Sequence, residues 1–424
     1  MKKIIALFIL IVSLQAGAQS LYFPPNIGNT WDTIAPASIG WCQPGIDSLY
    51  SYLNQTGTDA FIVLKDGKIV LEKYFGTFTV DSPHYWASAG KSLIAMLTGV
   101  AQDKGLVNIN NPVSNYLGNG WSAAPTAKES LITLRHLLTM TSGFNDKPAA
   151  PCDNESTASS CLQYLTDTGQ RWAYHTGAYQ QLKEIIAVAS GSSINAFTNS
   201  TINNRIGMTG LWANGVYYSK ARSMARFGLL ALNKGVWASD SILKSRTYWN
   251  AMINTSQSYN NAYGYLWWLN GKSSFLAPGL QLVFNGSLVP NASPDMFAAL
   301  GKNDQKIYVV PSRGLVVVRV GESAYGVAAA FSPFDDLLWG KIDSLDYKCS
   351  YTFTGNGNWN VSSNWSNNLI PPTVLAKEAV IVINPIIGGE CILNIPQTIS
   401  KGTNLLVKPG AQFRIMGNLT ILNK

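Results

Sequence analysis

Ser88-Ala89-Gly90-Lys91 offers a nucleophile and a base at a usable spacing. A hydroxyl and an amine three residues apart fall on one face of a helix. The apolar stripe Leu93, Ile94, Leu97 and Val100, stopping at Gly105, predicts such a helix from Ser88 to Lys104. Its N-terminus supplies a positive end where negative charge develops. An amine with the ordinary pKa of about 10.4 is a poor base, so burial or neighbouring cations must disfavour its charged form. Under those conditions Ser88 attacks an acyl carbon and Lys91 takes its proton. The bland alternative is a helix-capping serine followed by a solvated lysine. Gly90-Lys91-Ser92 also mimics the end of a phosphate-binding loop. That loop needs a glycine where Tyr85 stands, so nucleotide binding is excluded.

The elements that must hold this pair read clearly in outline. Ala60 to Phe75 is two β-rich runs around Asp66-Gly67, a hairpin signal. A helical middle follows, with Thr133 capping a helix that ends near Gly143. Tyr179, Leu182, Ile186 and Ala189 form another helical stripe closed by Gly191, and Ala221 to Asn233 is a further helix. Strands return at Met296–Leu300, Lys306–Val310 and Leu315–Val320. The expected fold class is α+β: an antiparallel sheet formed by both chain ends and flanked by helices, plus a helical lobe, with the site in the cleft between. From about Tyr351 the chain turns rich in Asn, Gly and Ile. Runs such as Glu378–Ile383 and Asn404–Lys408 predict a small all-β module or the start of a β-solenoid. Trp359 and Trp365 in that tail are read as core residues first and as a sugar-stacking pair second.

The 424 residues carry a formal charge of +8 with only 13% charged positions, and the basic residues are scattered. No arginine-rich run or known motif suggests nucleic acid. Lys2 and Lys3, the apolar run Ile4–Leu14 and Ala16-Gly17-Ala18 predict an export signal over residues 1–18, with the mature chain starting near Gln19. That apolar run is too short to span a bilayer, and no later segment approaches the length needed. The expectation is an exported protein, whether periplasmic, cell-surface or secreted. Its domains are a catalytic unit over 19–345 and a β-rich module over 346–424. Among the five cysteines, Cys152 and Cys161 flank a short polar loop they could close; Cys349 and Cys391 could pair in the tail, leaving Cys42 over. With three histidines and no zinc-ligand spacing, no metal site is expected.

A longer pattern sharpens this. Thr133-Leu134-Arg135-His136-Leu137-Leu138-Thr139-Met140-Thr141-Ser142-Gly143-Phe144 resembles a hallmark segment of the serine β-lactamase and penicillin-binding-protein superfamily. Matching stretches follow in order: the Phe61–Lys68 hairpin, Ser88–Lys91, Gly207-Met208, Ala225–Leu230, Tyr263–Trp268 and Gln305–Val318. The resemblance covers roughly Trp41 to Leu338. It points to the class C β-lactamase branch with its esterase and amide-hydrolase relatives, some of them similar to 6-aminohexanoate-oligomer hydrolases. It implies a β-lactamase/transpeptidase-like fold. The family's Tyr-x-Asn motif falls on Tyr174-His175-Thr176, so Tyr174 becomes the phenol sharing protons with Ser88 and Lys91, in part as a phenolate. Thr176 takes the Asn place in substrate binding, and His175 is expected at the rim. The third motif, a cation, a small residue and Gly, falls on Ala299-Leu300-Gly301, where the cation is missing and Gly301 lines the substrate. Strand alternation would turn the Lys302 side chain to the other face, while its backbone amide and that of Ser88 would form the oxyanion hole.

These features together predict an exported serine hydrolase. It would cleave an ester or amide through an acyl-enzyme on Ser88, with Lys91 and Tyr174 moving the proton and no cofactor. The substrate would be a small or oligomeric acyl compound, and the tail would contact a cell surface or carbohydrate. Two alternatives stay open: a non-catalytic binding protein on the same scaffold, and a β-lactamase or D-peptidase, which the missing cation at Ala299 opposes.

Overall fold

The computed structural model describes residues 21–326, 331–346, 349–375 and 379–422. The expected export signal and Gln19 lie outside them.

Asp66 and Gly67 both take left-handed backbone, φ 49° and 86°, and their two-residue turn closes a hairpin of β1 (Thr58–Lys65) and β2 (Lys68–Tyr74). The far end of the chain supplies β3 (Trp268–Leu269), β4 (Phe297–Gly301), β5 (Gln305–Val310) and β6 (Leu315–Gly321). They form one antiparallel sheet in the order β2-β1-β6-β5-β4-β3. Every residue of β5 and β6 is buried, because both faces of the sheet are covered.

Five helices position the site: α1 (Gln43–Gln55), α2 (Gly90–Asp103), α3 (Thr176–Ser190), α4 (Ala221–Leu232) and α5 (Pro333–Asp343). α4 packs on β1, β5 and β6, while α1 and α5 pack together across the sheet's other face. Asp335 of α5 reaches down to that face, accepting from Tyr308 Oη at 2.5 Å and pairing with Lys306 Nζ at 3.0 Å. In the helical lobe, α2 is buried at every position from Gly90 to Ala101. A helix apolar nearly all round is a core helix, and it anchors whatever its first turn carries. Thr133 caps its helix as expected, but that helix spans only Leu134–Leu138. Met140 then turns left-handed (φ 59°), and the chain up to Gly143 runs beneath Ala173 instead.

The tail is a parallel coil. β7 (Ser350–Phe353), β8 (Gly357–Asn358), β9 (Val380–Ile383), β10 (Glu390–Leu393), β11 (Gln397–Ile399), β12 (Asn404–Val407), β13 (Gln412–Ile415) and β14 (Leu419–Ile421) stack as β7-β9-β12, β8-β10-β13 and β11-β14. Every pairing is parallel, which is the solenoid form. Glu378 lies outside the described residues. The tail has its own core, in which Trp359 and Trp365 are 0% and 2% exposed with ring centroids 4.7 Å apart. Neither indole presents a face to a sugar.

The cysteine pairing corrects the expectation. Cys349 bonds Cys42 across 307 residues and ties the entry to α1 to the start of the tail, while Cys391 is free and buried in the tail core. Pairing follows spatial neighbours, and Cys42 belongs to the tail's core cluster. Cys152 and Cys161 are joined, closing their polar loop.

Candidate active site

Ser88 lies on a 3-10 turn, Ala87–Ala89, that leads into α2. The turn is sharp: Ala87 has φ 47°, a conformation uncommon for a residue with a side chain. Neighbours hold it. Trp86, fully buried, donates from its backbone to Tyr217 O at 2.8 Å and from Nε1 to Ser219 Oγ at 2.7 Å. On the other side β4 ends against the turn at Gly301, where a β-carbon would come within 2.5 Å of Trp86 O and 3.1 Å of Ala89 N. Glycine alone permits that approach.

One turn into the chain from Ser88, Lys91 is 2% exposed. Its Nζ donates to Ser88 Oγ at 2.9 Å and to Thr176 Oγ1 at 3.3 Å. It lies 4.8 Å from the Tyr174 ring centroid and 4.3 Å from that of Tyr179. No carboxylate touches it among the described residues. Burial therefore lowers its pKa from 10.5 to about 7; Glu155 opposes the fall, and Lys183 and Lys302 add to it. That is the condition the sequence demanded of a base at this position.

Tyr174 is buried against Trp268 and Tyr263. Burial pushes its phenol above the usual tyrosine range, a hydrogen bond with Ser88 acts the other way, and Glu155 adds to the rise. The phenol is thus a neutral proton carrier, which corrects the expected partial phenolate. The cations nearby do not offset the loss of hydration.

His175 also departs from expectation. It is 1% exposed, not at the rim, and caps α3 by accepting the Ala178 N–H at Nδ1, 3.2 Å. Burial lowers its pKa to about 4, so it is neutral.

Lys302 corrects another reading. Alternation would hide its side chain, but β4 ends at Gly301 and the chain enters a tight turn with Asn303 and Asp304 at φ 58° and 57°. Lys302 is exposed, borders both cavities beside Ser88, and its charge acts on Lys91. Ala299 is buried and leaves the third motif uncharged.

Asn154 carries no motif of its own and is marked in the chain only by the two cysteines around it. The loop closed by Cys152 and Cys161 lies over the Tyr174–Gly177 segment. Asn154 Nδ2 donates to Tyr174 O at 2.9 Å, and its Oδ1 accepts the Thr176 N–H at 3.0 Å. Gly177 fits beneath this loop, where a β-carbon would meet Ser156 O at 2.0 Å.

Two cavities meet at Ser88. One of about 530 Å³ is bordered by Tyr174, Thr176, Glu155, Leu280, Lys302 and Phe331 among others. A side branch of about 90 Å³ leads past Lys91 and Tyr179 to Gly215. A larger cavity of about 740 Å³, beside Asn108 and Arg135, does not reach Ser88. Among the described residues no three His, Cys, Asp or Glu side chains converge as a metal site would require.

A family model for beta-lactamase matches residues 46–332. The 6-aminohexanoate-dimer hydrolase of Paenarthrobacter ureafaciens is 33% identical over 72 residues, 17% of this chain and 18% of that protein. A penicillin-binding-protein homologue from Caulobacter crescentus superposes with a TM-score of 0.54 at 13% identity, covering 72% of this chain and 99% of that one. A family VIII carboxylesterase does so with a TM-score of 0.53 at 14% identity, again covering 72% and 99%. At such identities the likeness to these two structures is one of fold.

Proposed function

The chain belongs to the beta-lactamase family, whose model spans more than half of it, and from that premise we propose that it is a serine hydrolase of ester or amide bonds. The observation that carries this reading is the amine of Lys91, buried, 2.9 Å from Ser88 Oγ and lowered to a pKa of about 7. Neutral Lys91 takes the Ser88 proton as Oγ bonds to the carbonyl carbon. The backbone N–H groups of Ser88 and Lys302 hold the resulting oxyanion; a single such donor is worth about 10²–10³ in rate. The proton passes from Lys91 through the neutral phenol of Tyr174 to the leaving group, whose bond to carbon then breaks. Water attacks the acyl-enzyme by the same route in reverse and frees the acid. Thr176 borders the bound substrate, whereas Gly301, expected beside it, packs behind the Ser88 turn and lines neither cavity. The chemistry is complete without a cofactor.

Export belongs to the same proposal. The signal-like residues 1–18 motivate it, and two disulfides fit an oxidising compartment.

The test is hydrolysis of p-nitrophenyl acetate and butyrate by the mature protein beside Ser88→Ala. Ser88-dependent turnover supports the reading. Absence of both turnover and fluorophosphonate labelling of Ser88 on folded protein sinks it in favour of a binding scaffold. A β-lactamase or D-peptidase is the second reading, favoured by one observation: Lys302 brings a cation to the cavity that Ala299 leaves without one. Nitrocefin turnover would decide for it.

A further inference from the structure

The main sheet closes two of its hairpins in unlike ways. Between β1 and β2 the left-handed pair is Asp66-Gly67, where glycine takes its place without strain. Between β4 and β5 the pair is Asn303 and Asp304, at φ 58° and 57°, a conformation unfavourable for residues with side chains. Such a turn persists only where its surroundings hold it, and they do so from the sheet side with buried polar groups. Asp304 is 0% exposed. Its Oδ1 accepts from Ser332 Oγ at 2.9 Å and pairs with Lys306 Nζ at 3.1 Å, while its Oδ2 accepts the Ala324 N–H at 3.0 Å. Arg319, equally buried, donates from Nη1 to Asn303 O at 3.1 Å and to Asp304 O at 3.2 Å. Gln305 Nε2 adds a bond to Asn303 O at 2.8 Å. None of these side chains lines either cavity at Ser88. The residue that the turn presents to both cavities is Lys302, whose N–H the hydrolase reading assigns to the oxyanion.

We propose that Asp304 is a positioning residue of the oxyanion hole, fixing the strained turn through Ser332, Ala324 and Lys306 so that the Lys302 N–H stays aimed at the oxyanion; the inference rests on the hydrolase reading above. An oxyanion donor is effective only when it is preorganised toward the place where charge develops. Relaxing Asn303 and Asp304 out of the left-handed region would shift the turn, and Lys302 with it. Asp304 does not meet the substrate; it acts through the backbone.

Asp335 supplies the control. It is 1% exposed and pairs with the same Lys306 at 3.0 Å, but its bonds go to Lys306, Tyr308 and Ser332, none of them in the turn. Asp304→Asn and Asp335→Asn each leave Lys306 short of one carboxylate, and both should lower Tm. The variants are assayed with p-nitrophenyl butyrate, with rates expressed per site titrated to completion by a fluorophosphonate. They are also titrated with butylboronic acid, whose tetrahedral adduct on Ser88 puts an oxygen in the oxyanion hole. Asp304→Asn should lower kcat about 10- to 100-fold and weaken the boronate by a similar factor, with KM within about threefold of wild type. Asp335→Asn should keep kcat and boronate affinity within about threefold. Equal kinetic losses in the two variants, or wild-type kcat in Asp304→Asn, overturn the inference while the hydrolase stands. If Asp304→Asn does not fold, Ser332→Ala takes its place by removing one of the three donors. It should weaken the boronate about three- to tenfold at unchanged KM, and wild-type affinity there overturns the inference. No Ser88-dependent turnover by the wild type removes the hydrolase reading and this inference with it.

Discussion

Replacing Lys91 with methionine should abolish turnover and yet stabilise the fold, by an amount that depends on pH. In the folded protein the amine is 2% exposed and its pKa has fallen from 10.5 to about 7. Each unit between folded and unfolded values is worth about 1.4 kcal/mol. Holding the amine therefore costs roughly 5 kcal/mol below the folded pKa, where both states are protonated. Between about 7 and 10.5 the unfolded chain binds a proton that the folded one does not. Wild-type stability accordingly rises with pH across that window, by about 1.4 kcal/mol per unit, and the cost falls to roughly 2 kcal/mol at about pH 9. Methionine fills a similar volume without charge but deprives Ser88 Oγ and Thr176 Oγ1 of a donor, a loss of about 1 kcal/mol each. The net gain should be roughly 3 kcal/mol at about pH 6 and close to zero at about pH 9. Urea unfolding followed by tryptophan fluorescence at both pH values reads this directly. A variant that is less stable at the lower pH, or equally stabilised at both, would mean that the amine is not held neutral. The assignment of Lys91 as base would then fall.

The same group governs the rate. For wild type kcat/KM should rise with pH to a plateau with its midpoint near the Lys91 value of about 7, and Glu155→Gln should move that midpoint down, because the Glu155 carboxylate raises it. A pH–rate profile of both proteins checks the sign. Tyr174→Phe should cost about 10²–10⁴ in kcat for an alkyl ester or amide, whose leaving group needs a proton. The loss should be clearly smaller for p-nitrophenyl esters, which leave as the anion. Gly301→Ala should push β4 off the Ser88 turn, given the 2.5 Å approach to Trp86 O. We expect a fall in kcat/KM of about 10²-fold or more, with circular dichroism unchanged; wild-type rates would refute the close packing of strand and turn.

What could be read from the sequence was what depends on local order. The Asp66-Gly67 turn, the cap at Thr133, the stop at Gly191 and the Ser88–Lys91 spacing are each decided within a few residues, and each stands in the structure. What could not be read depends on the partner across the fold. Alternation fails for Lys302 because β4 ends one residue earlier, in a turn stabilised from outside by Asn303 Nδ2 donating to Tyr85 Oη at 2.7 Å. Cys42 finds Cys349 because the tail folds back on the entry to α1, a contact no spacing encodes. The phenolate expected at Tyr174 counted charges and omitted burial, which is the larger effect here.

Thr176 brings these two kinds of information together. As a substitute for asparagine it has only a hydroxyl to offer, and that hydroxyl already accepts from Lys91 at 3.3 Å. The carboxamide missing from the motif is present in space, supplied by Asn154 from the disulfide-closed loop. It is spent on the backbone: it grips Tyr174 O and Thr176 N–H, and the Asn154 carbonyl accepts the Gly177 N–H at 2.8 Å. Asn154 therefore acts as a positioning residue. It holds the phenol of Tyr174 and the hydroxyl of Thr176 at fixed distances from Lys91, while the next residue in the loop, Glu155, faces the substrate cavity. One short covalently closed loop thus holds the geometry of the proton path and places the Glu155 carboxylate beside it, so changes in this loop should alter the rate of proton transfer without altering the nucleophile.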